Sequence, residues 1–281
     1  VATVDVNKTL DSRPIADIGR GLQGAVAGVN ITIPTGEVGS DPLIKIRGQV
    51  GSISGNNTPL ILLDNVEIPS IQMVNPNDVQ SISVLKDAAS SSIYGSKAAF
   101  GVILITTKSG AQSDKFEVSY SNNFSWQDPA KKIEIGGIEA LQYTLDAQTN
   151  RREPMPAGGF WRISPESLEK AIEWQNLYGG KVKWNDPVVY GRDWFYDGKD
   201  KYGYRLYDGA KAMIKNWTPT MTHNLSVNGK SGKTSYNIGL GYLDQSGMSK
   251  TAKKDDFKRY NASVSVTSEI NKYITVRASS I

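Results

Sequence analysis

Cysteine is absent from the chain and histidine occurs once, at His223. Without thiols there is no disulfide framework, no thiolate metal site and no cysteine nucleophile. A lone imidazole offers neither a histidine cluster for zinc nor support for a Ser–His–Asp arrangement. Long apolar runs are also missing. The longest, Pro59–Leu63 and Gly101–Ile105, are strand-length, well short of the ~20 residues of a membrane-spanning helix. Charge is nearly balanced, with 32 basic and 28 acidic residues and a net charge of +4. No Lys/Arg block is long enough to track a phosphate backbone, so nucleic acid is excluded as a partner class. No cofactor is implied, and no nucleophile–base pair or metal cluster points to an enzyme.

What is present follows two different patterns. Up to about Gly110 the sequence reads as a compact α+β unit. Ser12 and Pro14 start a helix, with the proline where its missing N–H is harmless. Ile15, Ile18, Leu22 and Val26 give that helix one apolar face, and Gly28 ends it. Strands are expected at Val29–Ile33, Leu43–Arg47, Leu60–Leu63, Gln80–Leu85 and Val102–Thr107, with a tight turn at Asp64-Asn65. Asn75-Pro76 caps a helical turn, and Lys86–Tyr94 fits a short helix ending at Gly95. Asp64, Asp78 and Asp87 each fall at a turn or helix start, where a carboxylate accepts backbone N–H bonds; capping is the reading for all three.

Beyond about Lys115 the sequence alternates with a period of two. Val118, Tyr120, Phe124 and Trp126 share one face; Ser119, Ser121, Asn123 and Ser125 share the other. Similar rows run through Met221–Val227, Ser235–Tyr242, Tyr260–Thr267 and from Ile274 onward. The polar face carries Ser, Asn, Gly and Thr in place of the Lys and Glu usual on the outside of a soluble sheet. The apolar face has aromatics near its ends. Both features suit transmembrane β-barrel strands, as does the spacing of short and long connections. A soluble or cell-surface β-rich binding or adhesion protein remains the alternative. Five strands cannot close a barrel, so this reading also expects the chain to be part of a larger protein. Between Trp126 and Thr220, Ser164 and Pro165 start a helix to Tyr178, and Gly137–Ala147 reads as another. Aromatics crowd the same stretch, including Trp161, Trp174, Trp184, Tyr190, Trp194 and Phe195, and packing within the loop is the expected use of many of them.

Six segments in order resemble the plug of the SusC/RagA family of TonB-dependent transporters. They are Gly21–Val29, Ile44-Lys45-Ile46-Arg47-Gly48, Asn57–Val66, Asn75–Ile82, Val84–Ala99 and Gly101–Gly110. His223–Gly229 is similar to an early barrel strand of that family. The resemblance implies an α+β plug domain (residues 1–112) followed by antiparallel transmembrane β-barrel strands of a partial barrel (113–281). A long extracellular loop would occupy 127–219. It also implies import of an oligosaccharide or peptide across the outer membrane of a Gram-negative, Bacteroidetes-like bacterium. The partners implied are a SusD-like surface lipoprotein, the TonB–ExbB–ExbD complex and outer-membrane lipid. The chain departs from the family pattern at Asn65 and Phe100, and neither an N-terminal extension nor a TonB box precedes the plug motifs.

Plug loops in this family face the extracellular cavity, which makes Ser52, Ser54, Asn56, Asn57, Glu67 and Gln72 candidate substrate-binding residues. Arg47 and Lys86 each border an apolar strand, where a cation needs a partner. The resemblance casts both as a plug–barrel lock against glutamates of the wall.

Overall fold

A computed structural model describes residues 2–5, 18–33, 37–46, 58–110, 114, 116–130, 136–151, 163–183, 185–199 and 201–280. The expected helix start at Ser12-Pro14, Arg47, the Ser52–Asn57 loop, Trp161 and Trp184 lie outside the described residues.

The first part of the chain supplies strands β1 (Ala2–Asp5), β2 (Val29–Thr32), β3 (Leu43–Ile46), β4 (Leu60–Leu63), β5 (Val66–Glu67), β6 (Val79–Leu85) and β7 (Val102–Thr107). Helices α1 (Ile18–Leu22) and α2 (Ala88–Ser91) accompany them. Five strands form a mixed sheet in the order β1-β6-β7-β4-β5, in which only β4 and β7 are parallel, and β2 and β3 pair as a separate ladder. Ile18, Leu22, Ile31, Ile44, Ile71, Ile82, Val84, Ile103 and Ile105 form one buried cluster. Leu62, Leu85, Ala98 and Val102 form a second. The expected tight turn exists: Asp64 and Asn65 have φ of 46° and 70°, the doubly left-handed conformation of a two-residue hairpin. The helix after Lys86 is kinked. α2 passes into a 3-10 segment that runs through Gly95, whose φ of 70° breaks the helical path, to Ala98.

The alternating rows form one antiparallel sheet in the order β14-β13-β12-β11-β8. Its strands are β8 (Glu117–Gln127), β11 (Thr218–Ser231), β12 (Thr234–Ser246), β13 (Asp256–Asn271) and β14 (Ile274–Ser280). The sheet is open, with β8 and β14 at its edges. Strand β11 starts earlier than the alternation suggested and includes Pro219. There β11 pairs with β8 alone, so the proline leaves no ladder on the other side incomplete. The turn expected at Glu269–Lys272 narrows to Lys272-Tyr273, and the one expected at Gly229–Lys233 is tighter because Lys230 and Ser231 still pair with Ser235 and Thr234. What remains is Gly232-Lys233, with Gly232 at φ 58°. The end of β8 lies opposite the start of β11, and Thr220 lies opposite Gln245 near the end of β12. Both long connections therefore leave the sheet at one end.

Residues 128–216 and 249–253 make a second compact unit. It holds α3 (Ile138–Arg151), α4 (Pro165–Tyr178), the β9 (Trp194–Tyr196)–β10 (Lys201–Gly203) hairpin and α5 (Gly209–Met213). Helix α4 begins as expected: the Ser164 hydroxyl accepts the Ser167 N–H, and Pro165 takes the first turn. Its buried face is Leu168, Ala171 and Trp174. No helix among the described residues is long and apolar enough to cross a membrane.

Candidate functional site

The two faces of the large sheet meet different surroundings. Ile238, Leu240, Val264 and Val276 lie on the apolar face and stay exposed, Leu240 by 49%. Rings cross this face near the end with the long connections. Tyr120 and His223 stack, Phe124 meets His223 edge-on, His223 stacks on Tyr242, and Tyr242 packs against Tyr260. The lone histidine belongs to this aromatic row, where its Nδ1 lies 2.7 Å from the Tyr120 hydroxyl. From Phe116 to Trp126 the face runs roughly 34 Å along the strand. A tilt of about 40° makes that about 26 Å of height, the size of a lipid-facing band.

The opposite face receives the plug. Asn75-Pro76-Asn77-Asp78 forms a 3-10 turn, capped because Asn75 Oδ1 accepts the Asn77 N–H. Asn75 Nδ2 in turn donates to Asn224 Oδ1 of β11 at 2.9 Å. Ser263 of β13 donates its hydroxyl to Asp78 Oδ2 at 2.9 Å. Just before the turn, Arg259 donates to the Gln72 carbonyl and Asn261 to the Met73 carbonyl, each at 2.8 Å. Between β11 and β13, strand β12 presents Gly239 and Gly241. A Cβ on Gly239 would lie 2.6 Å from Asp78 Oδ1, and one on Gly241 would overlap the Asn75 amide. Glycine inside a strand often marks such a close approach.

Asp78 is therefore not a capping residue, as its position had suggested; its carboxylate faces the wall. It is only 8% exposed. Burial pushes its pKa above the usual carboxylate value, opposed by the Ser263 hydrogen bond and by the charges of Lys108 and Arg259. Asp64 likewise does more than shape its turn. Its oxygens accept the Thr107 N–H at 3.0 Å and the Thr107 hydroxyl at 2.5 Å, which ties the β4–β5 turn to β7. Arg277 of β14 approaches the same pair, 3.7 Å from Asp64 Oδ1 and 3.4 Å from Thr107 Oγ1. Asn237 donates to the Lys108 carbonyl at 3.1 Å.

Of the eight residues singled out from sequence, three are described. Lys86 is half-buried, and its Nζ donates to the Ala27 carbonyl at 2.8 Å. Glu67 is paired with Lys97 at 2.7 Å on an exposed surface. The Gln72 side chain donates to the Ser40 carbonyl at 3.2 Å, and Ser70 bonds Asp41 beside it, so two plug loops are stitched together. A cavity of about 790 Å³ opens beside this junction, lined by Gly39, Ser70 and Gln72 of the plug and by Phe257, Arg259 and Asn261 of β13. It contains Gln72 but is not lined by Glu67. No sequence motif singles out the wall residues Arg259, Asn261, Ser263 and Arg277. The signal available for their neighbourhood was two glycines, at 239 and 241, both on the polar face of one strand.

In the second unit Asp193 holds the fold. Its carboxylate accepts from Trp174 Nε1 at 2.9 Å, from the Val189 N–H at 2.8 Å and from Arg192 at 2.6 Å, with Arg205 3.6 Å away. The Arg192 hydrogen bond, with help from Val189 and Trp174, lowers its pKa to about 2 against the effect of burial. Trp174 is buried and serves packing, whereas Tyr190 and Phe195 stack on one another and remain exposed.

Known proteins resemble this chain in sequence and fold. Residues 2–102 match the TonB-dependent receptor plug domain. Over 259 residues the chain is 30% identical to a TonB-dependent receptor of Formosa agariphila, covering 90% of this chain and 21% of that receptor. It is 28% identical over 254 residues to the TonB-dependent receptor SusC of Bacteroides thetaiotaomicron, covering 87% of this chain and 20% of SusC. The solved RagAB peptide importer in its closed-closed state superposes with a TM-score of 0.72 and 28% identity, covering 99% of this chain and 30% of that one. The chain thus spans about a fifth of the length of these curated relatives. By sequence, plug fold and strand order together, it belongs to the TonB-dependent receptors of the SusC/RagA type.

Proposed function

We propose that the protein imports an oligosaccharide or peptide across the outer membrane of a Gram-negative, Bacteroidetes-like bacterium. The plug, residues 1–112, gates a barrel whose first strands lie within 113–281. The observation that carries this reading is the division of one sheet into an exposed apolar face with an aromatic row and a polar face that seats the plug. Lipid satisfies the first face and the plug the second. An exposed apolar face of this kind counts against the soluble or surface-adhesion alternative. Further wall strands would pair with β8 and β14, since unpaired edges are not tolerated in lipid.

Energy for import would come from the TonB–ExbB–ExbD complex acting on the plug, with no covalent chemistry. The sheet end that carries the long connections is assigned to the outside, where a SusD-like lipoprotein would cover the entrance. Candidate ligand contacts are Ser52, Ser54, Asn56, Asn57, Glu67 and Gln72. Of these, Gln72 is favoured because it borders the cavity beside β13. Arg47 and Lys86 are retained as lock candidates, Lys86 with its present bond to Ala27 as the resting contact.

The test is growth on defined oligosaccharides or peptides as sole nutrient, comparing wild type, a deletion strain and a strain lacking TonB. Loss of growth on the same nutrient in both mutants supports import. A deletion strain that grows normally on every nutrient tried, with the protein recovered in buffer without detergent, rejects it.

A further inference from the structure

We propose that the Asn75–Asp78 turn is the stationary fastener of the plug, held in a glycine-lined seat on β12 with Asp78 as its positioning residue. On this view the turn keeps its place on the wall while other parts of the plug move. The inference rests on the transport reading above, because only a plug that is remodelled needs a part that is not.

Four side-chain bonds between wall and plug converge on seven residues, Gln72 to Asp78. They come from β11 and β13, on either side of the strand that supplies the glycines. Two of the four end on plug carbonyls, so they fix the course of the backbone whatever side chains it carries. The turn is also preorganised by its own caps, Ser70 for Gln72 and Asn75 for Asn77. Release would break all four bonds at once and move the Asp78 carboxyl away from its hydroxyl donor. Shape reinforces chemistry here. Gly239 and Gly241 admit the Asp78 carboxylate and the Asn75 amide at distances that any β-carbon would deny.

The first two of these seven residues also belong to the cavity beside β13. Gln72 and Met73 line it, and Ser70 and Gln72 bind the neighbouring loop through Asp41 and Ser40. A fastener at this point keeps the ligand-facing loops in register with β13 while the energy-coupled movement takes place elsewhere in the plug.

The experiment uses the intact transporter in its own outer membrane. Asn75→Cys and Asn224→Cys are introduced together; this chain has no cysteine of its own. A short bifunctional thiol reagent bridges them. The expected result is the same bridging yield with the proton-motive force intact or collapsed, and the same TonB-dependent uptake in bridged and unbridged protein. Loss of uptake on bridging, with single-cysteine controls active under the reagent, overturns the proposal.

A second variant reads the seat without any transport assay. Gly239→Ala places a methyl group against Asp78, so leakage of a small antibiotic rises. Adding Asp78→Ala removes the carboxylate from the methyl group's path and lets the Ser263 hydroxyl rotate, but it also removes one of the four fastening bonds, so leakage falls below that of Gly239→Ala without returning to the parent's level. If Gly239→Ala is as tight as the parent, there is no seat. If the parent shows no TonB-dependent uptake at all, the import reading fails, and the bridging yield and leakage results still decide on the fastener.

Discussion

Asp78 of the plug and Gly239 of the wall, 161 positions apart in sequence, are packed so closely that a β-carbon on the glycine would lie 2.6 Å from the carboxylate. The relation couples a charged turn to a strand through the absence of a side chain. Its energetic sign follows from the titration of Asp78. Because burial raises the folded pKa above the usual value of 3.8, the seated state holds its proton more tightly than the released state. Seating is therefore firmest below pH 3.8 and weakens as pH rises through the folded pKa, the reverse of a salt-bridged carboxylate. Asp78→Asn should flatten this dependence while keeping an acceptor for Ser263, as read by plug protection from protease across pH. A parent profile that is flat, or that rises with pH, would contradict it.

Substitution on the lipid-facing side should act by depth. Leu240→Arg, in the middle of the exposed apolar face, should destabilise the inserted protein by about 2–4 kcal/mol. The same change at Tyr273, in the turn between β13 and β14, should have an effect near zero. Urea unfolding in lipid vesicles measures both, and equal effects at the two sites would place that face against protein.

The second unit should depend on Asp193. Asp193→Ala leaves Trp174 Nε1 and the Val189 N–H short of an acceptor, and it takes the opposite charge away from the nearly inaccessible Arg205 side chain, which keeps its bonds to the Asp186 and Lys183 carbonyls. Removing one side of a buried pair in this way costs about 3–5 kcal/mol. Near-ultraviolet circular dichroism of the tryptophans, followed against denaturant, reports the loss. The carboxylate also sets the acid limit of this unit. With a folded pKa of about 2 and an ordinary value of 3.8 when unfolded, its contribution is complete above about pH 4 and declines as pH falls toward 2.

Asn65 is left-handed at φ 70° next to Asp64 at 46°. Asn65→Gly should be neutral or slightly stabilising, because glycine reaches this region without strain. Asn65→Val should destabilise the plug by about 1–2 kcal/mol. Thermal melts of the two variants in detergent should separate in that order, and a valine variant as stable as the glycine one would show that the turn relaxes.

The fold was legible wherever a local rule operates. Ser164-Pro165 announces α4, Asn75-Pro76 announces its 3-10 turn, and the two-residue alternation from Val118 to Val276 sorts outward from inward side chains. The wall contacts were not legible in the same way. Asn75 and Asn224 are 149 positions apart, and Arg259 reaches the Gln72 carbonyl across 187. No periodicity spans such distances. The expected lock pairs the plug cations Arg47 and Lys86 with carboxylates on wall strands outside this chain, so the five strands present leave it open. Among the described residues the wall supplies arginines, Arg259 to a plug carbonyl and Arg277 to Asp64. Gly239 and Gly241 were visible as glycines on a polar face. Their meaning depended on what packs there, which the strand itself does not encode.

The order of the large sheet also bears on how it is assembled. From β11 to β14 each strand follows its neighbour through a turn of two residues or a loop of nine, so these pairings close short chain loops and can zip up early. The β8–β11 pairing must instead bring Gln127 beside Thr218 across a ninety-residue excursion. Closing a flexible loop of that length is entropically slow. An excursion that has already folded around Asp193 behaves as a much shorter tether. Independent folding of the insert would thus set the rate at which the first wall strand joins the rest, and a variant such as Asp193→Ala would delay assembly of strands that it never touches.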